Sequence, residues 1–318
     1  MMKMPIMPKS FRMSMLLVLI ILSFTVFLFF GLSSAANQHD TNYKNVTVRT
    51  NVNITNSKPE VLGISISPDI NFSQKNITLN AGSLRVVVCN VSLRDWNGYT
   101  DIYLVNATLW DVKNSQQNTV DDNNTHYTNY NCTNAEDGVN YTVDYYCNFS
   151  VYYYANNGTW NCSVMVTDTA QTSGLKGNTT YFYSIYALNV TDGIFYGNAA
   201  VEDYTINTTA NVTNFGNMPI NITVEGYGSK QGDGLAMNCS LGGNITVDNE
   251  RFSLYDTAFS SRTVLNSSPV NVNGLTVLKQ TVPNTLMTNS TYWQMFINST
   301  NNPGGNCSGY VIFTAMAS

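Results

Sequence analysis

Asparagine side chains are the groups in this sequence with the clearest chemistry, because many stand in Asn-X-Ser/Thr triplets, which accept N-linked glycans. The 318 residues contain 44 asparagines, 62 serines and threonines, and 23 such triplets, from Asn45-Val-Thr47 to Asn306-Cys-Ser308. Chance placement of the same residues gives roughly nine triplets. A glycan must project into water, so a used triplet marks the surface of an exported protein. The candidate acceptors are Asn45, Asn53, Asn76, Asn106, Asn157, Asn178, Asn207, Asn221, Asn289 and Asn306.

A purely structural origin is the alternative for any single triplet. Residues i and i+2 of a strand share a face, so Asn-Val-Thr also arises in a half-buried strand with Val inward. Loop triplets such as Asn157-Gly-Thr159 and Asn306-Cys-Ser308 follow no strand pattern. We therefore expect part of the set to carry glycans.

Two acidic runs could supply oxygen ligands to calcium, namely Asp95-X-Asn97-X-X-X-Asp101 and Asp121-Asp122-Asn123. The first run lacks the EF-hand spacing and its bidentate glutamate, so we favour Asx turns at strand ends. His126 stands near the second run, but no nucleophile motif accompanies it, which favours an ordinary loop histidine. The prediction is no metal site, no cofactor and no enzymatic activity.

An N-terminal export segment is the next feature. Lys3, Lys9 and Arg12 precede the apolar residues 15–32, and Ser34-Ala35-Ala36 supplies the small residues of a signal-peptidase site. We expect cleavage near Ala36; the alternative is that residues 15–32 stay as a membrane anchor, since 18 apolar residues can just span a bilayer. Both alternatives place the protein outside the cell or at the cell surface.

The composition excludes two classes of protein. Only 11% of residues are charged, and removing residues 1–36 takes away three cations and no anions, which moves the net charge from −5 to −8. A nucleic acid partner is therefore not expected, because few cations remain to form a basic patch. A disordered chain is not expected either, since 43% of residues are hydrophobic and 20 are tyrosines.

Period-two alternation of apolar and polar residues predicts strands along the chain. Residues 45–54 are a clear case, with Val46, Val48, Val52 and Ile54 on one face. The same pattern marks residues 61–66, 83–92, 101–110, 141–154, 160–167, 180–188, 219–224, 244–247 and 310–314. Sustained helical periodicity is absent after residue 36. Many short strands separated by turns predict an all-β protein built from sandwiches.

The length that remains after export suggests two tandem immunoglobulin-like β-sandwich domains. We assign residues 1–36 to the signal or anchor, 37–58 to an N-terminal strand and linker, 59–172 to the first domain and 173–318 to the second. In the second domain, residues 214–219 are interpreted as a hairpin-like corner, and residues 291–297 and 310–313 as a final hairpin.

Six cysteines, an even number in an exported chain, predict disulfides, with fifteen pairings in principle. Trp160, two residues before Cys162, matches the F-strand layout of an immunoglobulin-like sandwich, which makes Cys89 the partner of Cys162 across the core. We expect two further pairs, Cys132–Cys147 and Cys239–Cys307. A two-residue turn at Asp137-Gly138 would place Cys132 opposite Val143, so the connecting loop must be longer or bulged.

Three segments resemble secreted, Asn/Thr-rich archaeal surface proteins with tandem immunoglobulin-like domains. They are Asp95-Trp-Asn-Gly-Tyr-Thr-Asp101-Ile, Asp121-Asp-Asn-Asn-Thr-His126-Tyr and Asn156-Asn-Gly-Thr-Trp-Asn-Cys162. The resemblance covers about residues 50–318 and is mainly one of composition. It implies a fold and a location only.

The sequence therefore predicts a structural or adhesive, N-glycosylated cell-surface protein of S-layer-like or filament-like type. A secreted carbohydrate- or protein-binding module is the alternative. The expected partners are other copies of the chain or other surface proteins. A strand at residues 45–54 must join a sheet, because its apolar face and its backbone need partners. Its own sheet is the default, and a neighbour's sheet is the alternative.

Overall fold

The computed structural model of this protein describes residues 47–69, 75–135 and 138–318, and strands dominate these ranges. Alternation of apolar and polar residues gives most strands one buried and one exposed face. The first nine strands are β1 (Glu60–Ser67), β2 (Asn76–Ile77), β3 (Leu84–Arg94), β4 (Ile102–Asp111), β5 (His126–Asn129), β6 (Thr133–Asn134), β7 (Thr142–Tyr152), β8 (Gly158–Asp168) and β9 (Ser173–Phe182).

These nine strands form two sheets around one apolar core. The strand orders are β1-β3-β7-β6 and β2-β9-β8-β4-β5, and β2 and β9 form the one parallel pair. Trp160 lies at the centre of the core, with its ring stacked on Phe182 at 4.7 Å between centroids. Its Nε1 donates to the carbonyl of Asn156 at 2.8 Å, four residues upstream, as the tyrosine-corner assignment requires.

Eleven further strands surround a second apolar core, in which Trp293 packs on Phe252. Their sheet orders are β10-β11-β18-β15-β16, β17-β12-β20 and β14-β13-β19. The strands are β10 (Leu188–Val190), β11 (Thr208–Asn214), β12 (Ile220–Tyr227), β13 (Leu235–Cys239), β14 (Asn244–Thr246), β15 (Glu250–Ser253), β16 (Thr263–Val264), β17 (Val270–Val277), β18 (Thr288–Met295), β19 (Cys307–Ser308) and β20 (Tyr310–Ala317). Short 3₁₀ turns occupy Tyr99–Asp101, Val247–Asn249, Phe259–Ser261 and Ser299–Asn301. The fold class is all-β, as the sequence predicts.

Residues Thr55–Ser318 pack as one compact unit that contains both cores. The backbone N–H of Gly82 donates to the carbonyl of Phe215 at 3.0 Å, and the Phe215 ring meets the Tyr153 ring edge-on. Lys279 Nζ donates to Asn124 Oδ1 at 2.7 Å, and burial lowers the pKa of Lys279 to about 8. The division into two domains stays a prediction.

Three details of the predicted organisation are wrong. Residues 173–182, assigned to the second domain, form β9, which pairs along its length with β8 of the first core. Residues 214–219 do not close a hairpin, because β11 and β12 lie in different sheets. β18 and β20 likewise belong to different sheets, so the predicted final hairpin is not formed. Alternation predicts which side of a strand is buried, but it carries no information on which strands pair.

The predicted strand at residues 45–54 is also not formed over the residues that the structure describes. Residues 47–54 have no regular secondary structure and pair with no strand. Val48, Val52 and Ile54 are 75%, 84% and 79% exposed. The default assignment to a sheet of its own chain is therefore wrong, and these apolar side chains face water.

The predicted export segment lies outside the described residues, so cleavage near Ala36 stays a prediction. Among the helices that are described, none combines the length and the apolar character needed to cross a membrane.

Candidate functional site

The asparagines of the glycan-acceptor triplets share one structural property. Twenty-one of the 23 lie in the described ranges, and none of the 21 is buried: twelve are exposed and nine are half-buried. Among the described asparagines, the two that are buried, Asn214 and Asn217, both stand outside triplets. Asn214 Nδ2 donates to the carbonyls of Met218 and Val277, and Asn217 Nδ2 to that of Tyr183. Both asparagines that the fold buries therefore stand outside triplets, although 17 of the 19 described asparagines outside triplets are unburied as well.

The named acceptors differ in how free their amide nitrogens are. Asn178 Nδ2 donates to the Ile64 carbonyl at 2.7 Å, Asn76 Nδ2 to Tyr183 Oη and Asn157 Nδ2 to Ser184 Oγ. In the described part of the chain, no hydrogen bond engages the Nδ2 of the exposed Asn53, Asn207, Asn289 or Asn306. Asn106 and Asn221 are half-buried on β4 and β12, and Asn45 lies outside the described residues.

The three disulfides join Cys89 to Cys162, Cys132 to Cys147 and Cys239 to Cys307, the pairs expected from the sequence. β6 pairs with β7 so that Thr133 lies opposite Tyr146, which brings Cys132 beside Cys147. Val139 and Thr142 exchange two backbone hydrogen bonds, so the tight turn stands at Asn140-Tyr141 and not at Asp137-Gly138. Three disulfides are typical of proteins from an oxidising, extracellular compartment.

Three carboxylates that are distant in sequence meet at one end of the first core. Asp95 follows β3, Asp101 precedes β4 and Asp168 ends β8, and a carboxylate oxygen of each lies within 4.8 Å of the other two. Asp95 and Asp168 are fully buried, and Asp101 is half-buried. Within the described residues, none of the three forms an ion pair.

Among the described residues, Asp168 accepts several hydrogen bonds, whereas Asp95 accepts one. Asp168 accepts bonds from the Thr172 N–H at 2.7 Å, from Thr172 Oγ1 and from Asn56 Nδ2. Burial opposes its ionisation, but these bonds outweigh burial and lower its pKa. Asp95 Oδ1 accepts from the Asn97 N–H, whereas its buried Oδ2 has no partner. Burial, then repulsion from Asp101 and Asp168, raises the pKa of Asp95.

The second acidic run forms a turn, as expected. Burial alone would raise the pKa of Asp122. Its carboxylate accepts hydrogen bonds from the backbone N–H groups of Asn124, Thr125 and His126, and together these bonds lower the pKa. His126 lies in β5 and is buried, not in a loop as predicted; its Nδ1 lies 2.7 Å from Asp121 Oδ1 and its Nε2 contacts the Gln117 carbonyl. This run holds the start of β5 in place.

The outer edge of β20 is the longest uninterrupted open strand edge among the described residues. β20 pairs with β12 over eight consecutive residues without a register shift and with no second strand. β1 is equally long, but Lys176 Nζ and Asn178 Nδ2 donate to its carbonyls at Leu62 and Ile64. β17 is interrupted by a bulge. Edges capped by side chains or broken by bulges resist strand addition, and β20 has neither protection.

A cleft of about 300 Å³, lined by apolar side chains and by the acidic Asp192 and Glu250, lies beside this edge. Val311 and Phe313 of β20 line one side, and Leu188 and Val190 of β10 line another. β10 is itself an edge strand of the neighbouring sheet, so the cleft opens where two sheet edges meet. Glu250 lies at its base, where Tyr196 Oη donates to Glu250 Oε1 at 2.5 Å.

Glu250 should make stability depend on pH. Burial raises its pKa to about 7, from 4.5. Between these values the folded chain keeps a proton that the unfolded chain has released, so stability falls as pH rises through this window, by about 3 kcal/mol in all. Urea denaturation at pH 5 and pH 8 should show the loss, and Glu250→Gln should remove it. Glu60→Gln, at an exposed carboxylate, should keep the wild-type slope; a wild-type free energy that is flat from pH 5 to pH 8 contradicts this expectation.

No family model and no curated protein matches the chain. Among solved structures it is similar to a chaperone–tip adhesion subunit pre-assembly complex from the archaic chaperone-usher Csu pili of Acinetobacter baumannii, with 10% identity and a TM-score of 0.39 over 76% of this chain and 96% of that chain. It is also similar to a carbohydrate-binding module of the β-sandwich superfamily, with 10% identity and a TM-score of 0.23 over 82% and 97%. A third likeness is to the C-terminal domain of the Streptococcus agalactiae AgI/II polypeptide BspA, with 10% identity and a TM-score of 0.22 over 82% and 96%. Function must be argued from the residues of this chain.

The sequence points to the acceptor asparagines and to Asp95 and Asp101, but it misses Asp168 and the β20 edge. Asp168 stands at the end of an alternating run, like Asp95, and the recurrence of aspartates at strand ends is the signal that could have linked them. The open edge has no such signal, because it depends on sheet order.

Proposed function

We propose that this protein is an N-glycosylated structural or adhesive protein of the cell surface, S-layer-like or filament-like. The observation that carries the proposal is the position of the triplet asparagines, none of which is buried among the 21 described. The number of triplets, 23 against roughly nine expected by chance, supports the proposal further. Disulfides and the predicted export segment support the same extracellular location.

Glycopeptide mass spectrometry of native material tests the proposal. We expect glycans on Asn207 and Asn289, which are exposed and whose amide nitrogens are free, and none on Asn214 or Asn217. Asn289→Gln should remove one glycan mass, whereas Asn284→Gln, at an exposed asparagine outside any triplet, should leave the mass of the glycans unchanged. Native protein without any modified asparagine would overturn the proposal.

Self-association completes the structural role. Residues 47–54 carry Val48, Val52 and Ile54 on one face of an alternating sequence, all exposed and unpaired. Exposed apolar side chains at this spacing lower their free energy by joining a sheet edge with an apolar pocket beside it. The β20 edge offers both, because Val311 and Phe313 line the adjoining cleft.

The occupant of the β20 edge is therefore residues 45–54 of another copy of the chain. An eight-residue strand is about 26 Å long, so residues 47–54 match the eight residues of β20. β20 contains no asparagine, so no glycan can project from its own residues. Addition of one copy's segment to the next copy's edge is a head-to-tail contact, which builds rings or filaments.

One observation favours the alternative of a carbohydrate-binding module. Trp96 and Tyr141 are 52% and 45% exposed, with ring centroids 5.5 Å apart, and the Arg94 guanidinium lies 4.6 Å from the Trp96 ring. Exposed aromatic pairs suit the apolar faces of sugar rings. Retention on a glycan array that is lost in Trp96→Ala and kept in Tyr103→Ala, at another exposed aromatic, would support this function.

A further inference from the structure

The carboxylates of Asp95, Asp101 and Asp168 lie close together, and no cationic side chain of the described residues pairs with them. Three carboxylate oxygens lie within 4.8 Å of one another, and two of the three residues are fully buried. None of them is ion-paired within the described residues. A buried carboxylate is costly unless a cation or hydrogen bonds compensate it.

Asp95 supplies an independent sign of a missing partner. Its Oδ2 is buried and accepts no hydrogen bond, while its Oδ1 accepts the N–H of Asn97. Buried polar atoms are almost always paired, so an unpaired carboxylate oxygen within this cluster marks a place for a ligand. The ligand atoms that the three residues offer are all carboxylate oxygens, which suit a hard cation and not a soft metal.

We propose that Asp95, Asp101 and Asp168 form a calcium site. Calcium binds oxygen ligands at about 2.4 Å, and the three oxygens lie within 4.8 Å of one another, so one calcium ion can contact all three. Magnesium demands near-ideal octahedral geometry and keeps several of its waters, whereas calcium accepts irregular sets of carboxylates, so we expect calcium to bind better here. Three carboxylates meet the need of calcium for anionic oxygen, with water completing the six to eight ligands.

The site would join separate parts of the first core. Asp95 follows β3, Asp101 leads into β4 and Asp168 ends β8, so one ion would tie both sheets at this end. Asn56 Nδ2 donates to Asp168 Oδ2 at 2.8 Å, and the Ser57 N–H donates to Asn97 Oδ1 at 2.6 Å. The ion would therefore also hold residues 56 and 57 against the β3–β4 loop.

Calorimetric titration of the full exported chain with CaCl₂ tests the site. We expect one saturable calcium ion per chain with a Kd of about 10⁻⁴ to 10⁻³ M, as in extracellular modules, and at least a tenfold weaker response to MgCl₂. Thermal unfolding in 10 mM CaCl₂ should shift upward by about 5 °C.

The decisive variant is Asp101→Asn, since Asp101 is half-buried and its carboxylate accepts one side-chain bond, from Thr169 Oγ1. Calcium binding should weaken at least tenfold in this variant. Asp144→Asn is the matched control, because Asp144 is exposed and bonds to Ser92 Oγ, and it should bind calcium as the wild type does. If Asp101→Asn does not fold, Thr169→Ala keeps all three carboxylates and should still show the calcium-dependent shift. No saturable binding up to 20 mM, or equal binding by Asp101→Asn and Asp144→Asn, would overturn the proposal.

Discussion

A chain that lacks residues 37–54 should fold normally and fail to assemble. The deleted residues contribute no strand to the described structure, and Val48, Val52 and Ile54 are exposed, so their loss removes no core contact. The deletion ends at Ile54 because Asn56 donates a hydrogen bond to Asp168. Analytical ultracentrifugation should show assemblies of the full exported chain and only monomers of the shortened one, with melting temperatures within about 2 °C.

Single substitutions in the segment distinguish strand addition from nonspecific stickiness. Val52→Asp should abolish assembly, because a strand at β20 would bury residue 52 in a cleft that offers an aspartate no cation and already holds Asp192 and Glu250. Asn51→Asp makes the same charge one residue away, on the opposite face, and should assemble as the wild type does. If both variants lose assembly equally, the segment binds by nonspecific attraction and not as a strand with a defined register.

The acceptor edge has its own matched pair. Val311→Lys places a charge in the cleft beside β20. It should abolish assembly, although the variant keeps the wild-type residues 45–54 as the donor segment. Thr314→Lys lies on the same strand at an exposed position and should not. If the shortened chain still assembles, residues 45–54 are not the donor strand. If it unfolds while the full chain remains monomeric, these residues support their own chain. Either result makes donation wrong and leaves glycosylation and surface location unaffected.

The strands that sequence predicts well are those whose two faces have opposite character. β3, β4, β7 and β8 each cover a predicted alternating run, because one face meets the core and one meets water. Residues 47–54 alternate equally well, yet form no strand. Alternation indicates that a segment is able to form a strand of a sheet. The strand forms only where a sheet edge is available to pair with it, and in the described structure no edge pairs with residues 47–54.

The features of the candidate site likewise differ in how far the sequence predicts them. Acceptor triplets are local, so their positions can be read from adjacent residues. The carboxylate cluster joins Asp168 to residues more than 60 positions earlier, through the pairing of β8 with β4, and sheet order is not encoded in local spacing. The open edge of β20 depends on the same information. Properties that depend on strand order must come from the structure.

Removing the Cys89–Cys162 disulfide should cost more stability than removing the Cys132–Cys147 disulfide of the same core. The bond links positions 73 residues apart, for which loop-closure entropy gives about 4 kcal/mol. Both cysteines are fully buried between the two sheets, so Cys89→Ala/Cys162→Ala also leaves unfilled space. Small domains are stable by about 5–15 kcal/mol, so this loss is a large part of the total. Guanidinium denaturation followed by tyrosine and tryptophan fluorescence should show the midpoint fall sharply.

The double substitution is needed because Cys89 has a second cysteine within reach. Cys89 lies directly opposite Cys147 in the β3–β7 pair, and directly opposite residues of antiparallel strands are about 4.5–5.5 Å apart between Cα atoms, a separation that disulfides tolerate. Cys162→Ala alone should therefore free Cys89 to attack the Cys132–Cys147 bond, and non-reducing peptide mapping should detect Cys89–Cys147. Cys132→Ala/Cys147→Ala is the matched control: it opens a loop of 15 residues, worth about 3 kcal/mol, and leaves the bond between the sheets intact. A smaller loss for Cys89→Ala/Cys162→Ala than for this control would show that apolar packing in the first core holds the two sheets together without help from the disulfide.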